Sequence, residues 1–176
     1  DLPISFHIGS GNMESGLQKQ KMQVYGRMAA FTEVSVAYFM RNGVQMADLI
    51  LSGVLARYPT IKFVSVESGI GWIPFLLEAL DYQISEGEPN HTLKLTPSEY
   101  FQRNFHGCFW FEKKNLAHSV RSVGIDRVMF ETDFPHPTCN YPEGADYVMD
   151  GLAELTMEER RKILSLNASK LYNIAV

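Results

Sequence analysis

Two hydrophobic rhythms alternate along this chain. Short runs rich in β-branched and aromatic residues, at Leu2–Ile8, Ile61–Glu67, Phe105–Phe111 and Arg127–Thr132, read as strands. Between them, apolar residues recur at the helical spacing. This predicts helices over Met28–Arg41 and Val44–Tyr58, separated by Asn42-Gly43, a natural C-terminal stop, with Pro59 closing the second. Ser68-Gly69 leads into a helix carrying Ile70, Ile73, Leu76, Leu77, Leu80 and Ile84. Pro74 falls near its first turn, where a missing N–H is harmless. Ser98–Arg103 predicts a helical turn and Lys114–Val123 a helix. The tail predicts two more, from about Tyr147 and from Thr156, where Thr156 and Glu159 form a capping-box pattern. The polar stretches from Gly9 to about Gly26 and over Glu86–Pro97 read as loops. Strand and helix alternating four times argues for parallel βαβ units.

In such architectures chemistry gathers at the C-terminal ends of the strands. Three of the four ends carry a candidate: His7, Glu67 and Asp133, each within two residues of a chain-turning Gly or Pro. Each also has a plain structural reading. His7 could be a hydrogen-bonded framework histidine, Glu67 a helix cap, and Asp133 a turn former. Taken together they suit a divalent ion, because one mouth would gather imidazole nitrogen and carboxylate oxygen. Alternation puts Glu67 on one face with Ser65, Phe63 and Ile61, and His7 with Ser5. Small or polar neighbours predict that these are the interior faces and that Val64 and Val66 meet the helices. His136 follows Asp133 in a Pro-flanked loop and can point into the same mouth. His106 lies early in a strand, while His91 and His118 read as loop and helix surface.

Composition removes several alternatives. The 176 residues carry a formal charge of −4, without the basic footprint that nucleic-acid binding needs. No apolar run of about 20 residues exists to span a membrane, and the first residues lack a signal-peptide pattern. Cys108 and Cys139 read as reduced thiols, which points to a cytoplasmic protein. Metal motifs of the H-x-H, H-E-x-x-H and C-x-x-C types are absent, as are the phosphate-cradling loop and the nucleophile elbow. Gly9-Ser10-Gly11 lacks the third glycine of a dinucleotide fingerprint.

Phe6-His7-Ile8-Gly9, then Val64-Ser65-Val66-Glu67-Ser68-Gly69-Ile70-Gly71-Trp72-Ile73-Pro74, then Phe130-Glu131-Thr132-Asp133-Phe134-Pro135-His136-Pro137 resemble the amidohydrolase-related (amidohydrolase 2) family of metal-dependent hydrolases. Its branch with aminocarboxymuconate-semialdehyde decarboxylase-like and resorcylate-type proteins is the one resembled. Leu166–Tyr172 is similar to that family's closing helix. The resemblance implies an α/β fold, strands five to eight of a TIM (β/α)₈ barrel, with residues 1–176 forming a single partial barrel domain. It implies His7 and Asp133 as metal ligands and Asp133 as the group handling the proton of a metal-bound water. Glu67 stands where relatives often carry a histidine, and is taken as a second catalytic carboxylate. His136 is taken as lining the substrate pocket.

The family's first-strand H-x-H ligands are missing. A strand beginning at residue 2 and the absence of an initiator Met agree with the C-terminal half of a barrel, since a full one needs about 250 residues. The leading functional expectation is a metal-dependent hydrolase acting on a small carboxylated or cyclic substrate. Its alternatives are a non-oxidative decarboxylase with the same ligands, and an inactive half-barrel. The expected cofactor is a divalent metal, zinc first, which the half-barrel reading dispenses with. The expected partners are a small-molecule substrate and a second copy of the chain, because four βα units leave two sheet edges open to pairing.

Overall fold

In the computed structural model of the chain, residues 2–8, 15–87 and 93–175 are described. Gly9-Ser10-Gly11 and His91 lie outside them. The four expected strands form one parallel sheet in chain order, β1 (Ile4–His7), β2 (Phe63–Val66), β3 (Phe105–Phe109) and β4 (Val128–Phe130). Each is shorter than its hydrophobic run, which extends past the strand at one or both ends. Helices α1 (Ser15–Tyr25), α2 (Arg27–Leu51) and α3 (Val54–Arg57) connect β1 to β2. Helices α4 (Ile73–Glu86) and α5 (Pro97–Asn104) connect β2 to β3, and α6 (Leu116–Val123) connects β3 to β4. The tail forms a 3-10 stretch at Gly144–Leu152, where a helix was expected from Tyr147, then α7 (Met157–Arg161) and α8 (Asn167–Tyr172) joined by a π-helical turn. This is half of a (β/α)₈ barrel. Among the described residues, no helix is long and apolar enough to cross a membrane.

Local chemistry accounts for several of these boundaries. Both Thr96–Glu99 and Thr156–Glu159 close reciprocal capping boxes, the first of which the sequence reading passed over. Each contributes about 1 kcal/mol to its helix start. Pro74 sits in the first turn of α4, as expected. The segment before Gly26 is not a loop throughout, since α1 occupies most of it.

The expected break at Asn42-Gly43 does not occur, and α2 runs through both residues. Tertiary contacts override the local stop signal. Asn42 is fully buried and its Nδ2 donates to Val66 O and Ser68 Oγ, both at 3.1 Å, and to Ser65 Oγ at 3.4 Å. A Cβ at Gly43 would stand 3.3 Å from the Trp72 ring, so glycine admits the indole. The helix ends instead at Leu51, before Gly53 in a left-handed conformation.

The two sheet faces are also assigned differently from expectation. Phe63, Phe105, Phe109 and Val128 face the main helices and join Ile70, Ile73 and Phe101 in the large core. Phe105 stacks on both Phe63 and Phe101, with centroids 5.4 and 5.9 Å away. Each buried ring of this kind contributes about 1.5–3 kcal/mol. Ser65 is small because Asn42 lies over it, not because it lines a barrel interior. The opposite face, with Val64, Cys108 and Met129, is covered by Ala168, Leu171 and Tyr172 of α8.

Candidate metal and active site

The C-terminal ends of β1, β2 and β4 converge. His7 pairs in register with Val66, so strand alternation alone would send the Glu67 side chain to the face away from His7. It does not go there, because Glu67 has φ 56° and Asp133 has φ 60°. Left-handed backbone at a non-glycine residue costs on the order of 1–3 kcal/mol, and surrounding structure must hold it in place. At Glu67 the holding group is Glu131, whose Oε1 accepts the Glu67 N–H at 2.8 Å. At Asp133 it is the following loop, in which the His136 N–H donates to Asp133 O at 2.8 Å.

These turns bring the Glu67 carboxylate into contact with His7 Nε2. His7 Nδ1 lies 2.6 Å from Ile8 O. A carbonyl can only accept, so Nδ1 is the donor of that pair, and Nε2, the nitrogen left to face the mouth, stands against the Glu67 carboxylate. That is the arrangement of a metal-ligating histidine. Asp133 Oδ2 lies 3.3 Å from His136 Nδ1 and accepts the Thr138 hydroxyl at 3.2 Å. Thr138 Oγ1 is also 2.8 Å from His136 Nδ1. Glu67, Asp133 and His136 each bring one donor atom to within 4.8 Å of the others. Burial raises the Glu67 pKa, the Asp133 charge adds to this, and His7 and His136 oppose it. Burial also pushes the Glu131 carboxyl up to about 7, against its Glu67 N–H bond and with the Asp133 and Glu67 charges adding. Crowded carboxylates beside an oriented imidazole form a donor set that fits a divalent cation.

Glu67 and His136 of this cluster, with His7 and Thr138, line a pocket of about 370 Å³. Its walls are Phe31, Tyr38 and Phe39 from α2 and Trp110 and Phe111 from the end of β3. The rings brace one another. Phe39 stacks on Phe111 at 5.5 Å and meets Trp110 edge-on at 5.7 Å. Glu112, next along, accepts the N–H groups of Ile70 at 3.0 Å and Gly71 at 2.7 Å, and so ties the loop after Glu67 to the loop after β3.

All four residues named from sequence, His7, Glu67, Asp133 and His136, therefore meet at one mouth. His136 enters the donor cluster itself, whereas it was expected only beside the substrate. Sequence reasoning did not identify Glu131, Thr138 or the aromatic wall. Glu131 was legible in principle, since it alternates with Met129 and Asp133. The other histidines lie elsewhere: His106 is buried in β3 and His118 is exposed on α6. Cys108 and Cys139 are free thiols.

Comparison with known proteins agrees with this fold. The model of the amidohydrolase family matches residues 1–174. Gamma-resorcylate decarboxylase of Polaromonas sp. is 26% identical over 144 residues, covering 78% of this chain and 42% of that protein. The 5-carboxyvanillate decarboxylase of Sphingomonas paucimobilis superposes with a TM-score of 0.68 at 25% identity, over 99% of this chain and 50% of that one. A dihydroxybenzoic acid decarboxylase of Polaromonas sp., solved with manganese and 2-nitroresorcinol, gives 0.73 at 20% identity, over 98% and 50%. The chain thus spans about half the length of the relatives it matches.

Proposed function

The chain belongs to the amidohydrolase family, and on that premise we propose that its mouth serves non-oxidative decarboxylation of a small aromatic carboxylate at a divalent metal. The observation that carries this reading is the Glu67, Asp133 and His136 donor cluster, whose Glu67 and His136 line an aromatic-walled pocket together with His7. The decarboxylases named above support it over hydrolysis, the leading expectation from sequence, since they match this chain along most of its length.

His7 and Asp133 would be the first ligands, with Glu67 or His136 completing the three protein donors of a catalytic site that keeps one position open. A bound divalent cation supplies Lewis acidity toward substrate oxygen atoms. The remaining work falls to the chain itself. Phe39, Trp110 and Phe111 form a rigid slot that holds a ring and excludes water. Loss of CO₂ from an aryl carboxylate requires a proton at the ring carbon as the carbon–carbon bond breaks. Asp133 is the carrier of that proton, oriented by the Thr138 hydroxyl and facing His136. Glu67 is the second carboxylate of the mouth.

The small-molecule partner is thus an aromatic acid. The working form is a homodimer, because β1 and β4 have no further strand beyond them among the described residues. The test supplies the purified chain with Mn²⁺ or Zn²⁺ and gamma-resorcylate and follows CO₂ release. Metal-dependent release that disappears in Asp133→Asn supports the reading. Tight metal binding without CO₂ release from any benzoate offered overturns it.

A further inference from the structure

We propose that Glu131 is a positioning residue that decides on which face of the sheet the Glu67 carboxylate stands. Glu67 follows Val66, the register partner of His7, so an extended conformation would carry its side chain to the Ser65 face, away from the mouth. The side chain reaches His7 only because the backbone turns to φ 56° at Glu67. That turn is unfavourable for a residue with a Cβ and needs an external hold. Glu131 supplies it from β4's end, two strands away from β2 in the sheet order, through the 2.8 Å bond to the Glu67 N–H.

The intervening strand β3 contributes Cys108, whose thiol lies against the same carboxylate. Cys108 pairs in register with Met129, which alternates with Glu131, so thiol and carboxylate share one face. Glu131 is thereby anchored from β3 while it holds Glu67. Among the described residues, Glu131 is neither one of those that line the pocket nor one of the donor cluster. Its action on the mouth passes through Glu67.

The consequence for metal binding rests on the functional reading above, whereas the consequence for the Glu67 backbone does not. The experiment measures both on Glu131→Leu, which removes the acceptor at similar bulk, and on Glu131→Gln, which keeps an acceptor oxygen. Mn²⁺ affinity is read by titration, and exchange of the Glu67 amide by NMR. Glu131→Leu is expected to weaken Mn²⁺ binding about 10–100-fold, the usual cost of losing a group that orients a ligand. It is also expected to speed Glu67 amide exchange about tenfold or more, while Glu131→Gln stays near wild type in both.

Wild-type affinity in Glu131→Leu overturns the proposal, as does equal loss in Glu131→Gln. If the wild-type chain binds no Mn²⁺, the metal reading falls and the amide alone decides. Faster exchange in Glu131→Leu with protection in Glu131→Gln then upholds positioning, and unchanged exchange overturns it. Should Glu131→Leu fail to fold, Glu131→Ser, too short to span to β2, takes its place with the same outcomes.

Discussion

The two ends of this sheet use polar groups differently. At the N-terminal end the side chains serve the backbone. Asn104 is fully buried, and its Nδ2 donates to Pro59 O at 3.1 Å and Ile61 O at 2.7 Å. Arg103 donates to Leu55 O at 2.6 Å, and Lys62 Nζ lies 2.5 Å from Arg103 O. At the C-terminal end Asn42, Glu112 and Glu131 also bond backbone groups, but other side chains face each other and the backbone is bent to suit them. Glu67 and Asp133 occupy left-handed conformations there, whereas Asn115 and Asn173, the remaining non-glycine residues with positive φ among the described residues, sit beside helix ends where asparagine tolerates it. One end is built for stability and the other stores strain around a cluster of charges. The same division of labour holds across complete barrels.

The largest expected effect breaks the C-terminal end alone. Asp133→Asn should lower CO₂ release about 10²–10⁴-fold, the range for a lost proton carrier, with the urea midpoint nearly unchanged. A midpoint that collapses with activity would mean that Asp133 is structural.

The reverse break is Asn104→Ala, which strips buried partners from the Pro59 and Ile61 carbonyls. It should cost about 2–4 kcal/mol in urea unfolding and leave the Mn²⁺ affinity of the folded protein unchanged. A change in affinity would erase the distinction between the two ends.

A third prediction uses pH. Burial first, then the charges of Arg127, Lys62 and Lys170, push His106 down to about 4. The unfolded chain takes up a proton near 6.5 while the folded chain does not until about 4. Neutral His106 therefore contributes fully above pH 6.5, and its contribution is lost as pH falls from 6.5 through 4, by up to about 3 kcal/mol. Comparing wild type with His106→Gln over this window isolates the effect, since Glu131, raised to about 7, favours the folded state as pH falls. Parallel pH curves for the two proteins would refute it.

The smallest effect sharpens the idea of stored strain. Glu67→Gly and Asp133→Gly should each stabilise the fold by on the order of 1 kcal/mol while abolishing Mn²⁺ binding, because glycine occupies positive φ without penalty. Destabilisation in both would show that the carboxylate contacts outweigh the backbone cost.

Much of this was legible in the residues. The four strands, their order and the strand-end candidates follow from apolar rhythm, which is a local property. His7, Glu67, Asp133 and His136 follow from strand ends, turn residues and family likeness. Asn42-Gly43 misled because a local stop signal was overridden by partners more than twenty positions away, Ser65, Val66 and Ser68. Ser65 misled because a small polar residue fits under a buried asparagine as well as inside a barrel. Phe31 and Phe39 were hidden within a helix pattern, where a wall of a pocket reads like any apolar stripe.

By itself, then, the sequence determined the parallel βαβ order and the residue types at its mouth, since periodicity and turn chemistry act over a few residues, while the half-barrel came from family likeness. Only the tertiary structure decided that α2 continues past Gly43, that aromatic rings from α2 and β3 wall one pocket, and that Glu67 turns toward His7. The last of these depends on a hydrogen bond between residues 64 positions apart. No local rule carries that information, because a positive φ at a glutamate is stable only where a distant partner holds it.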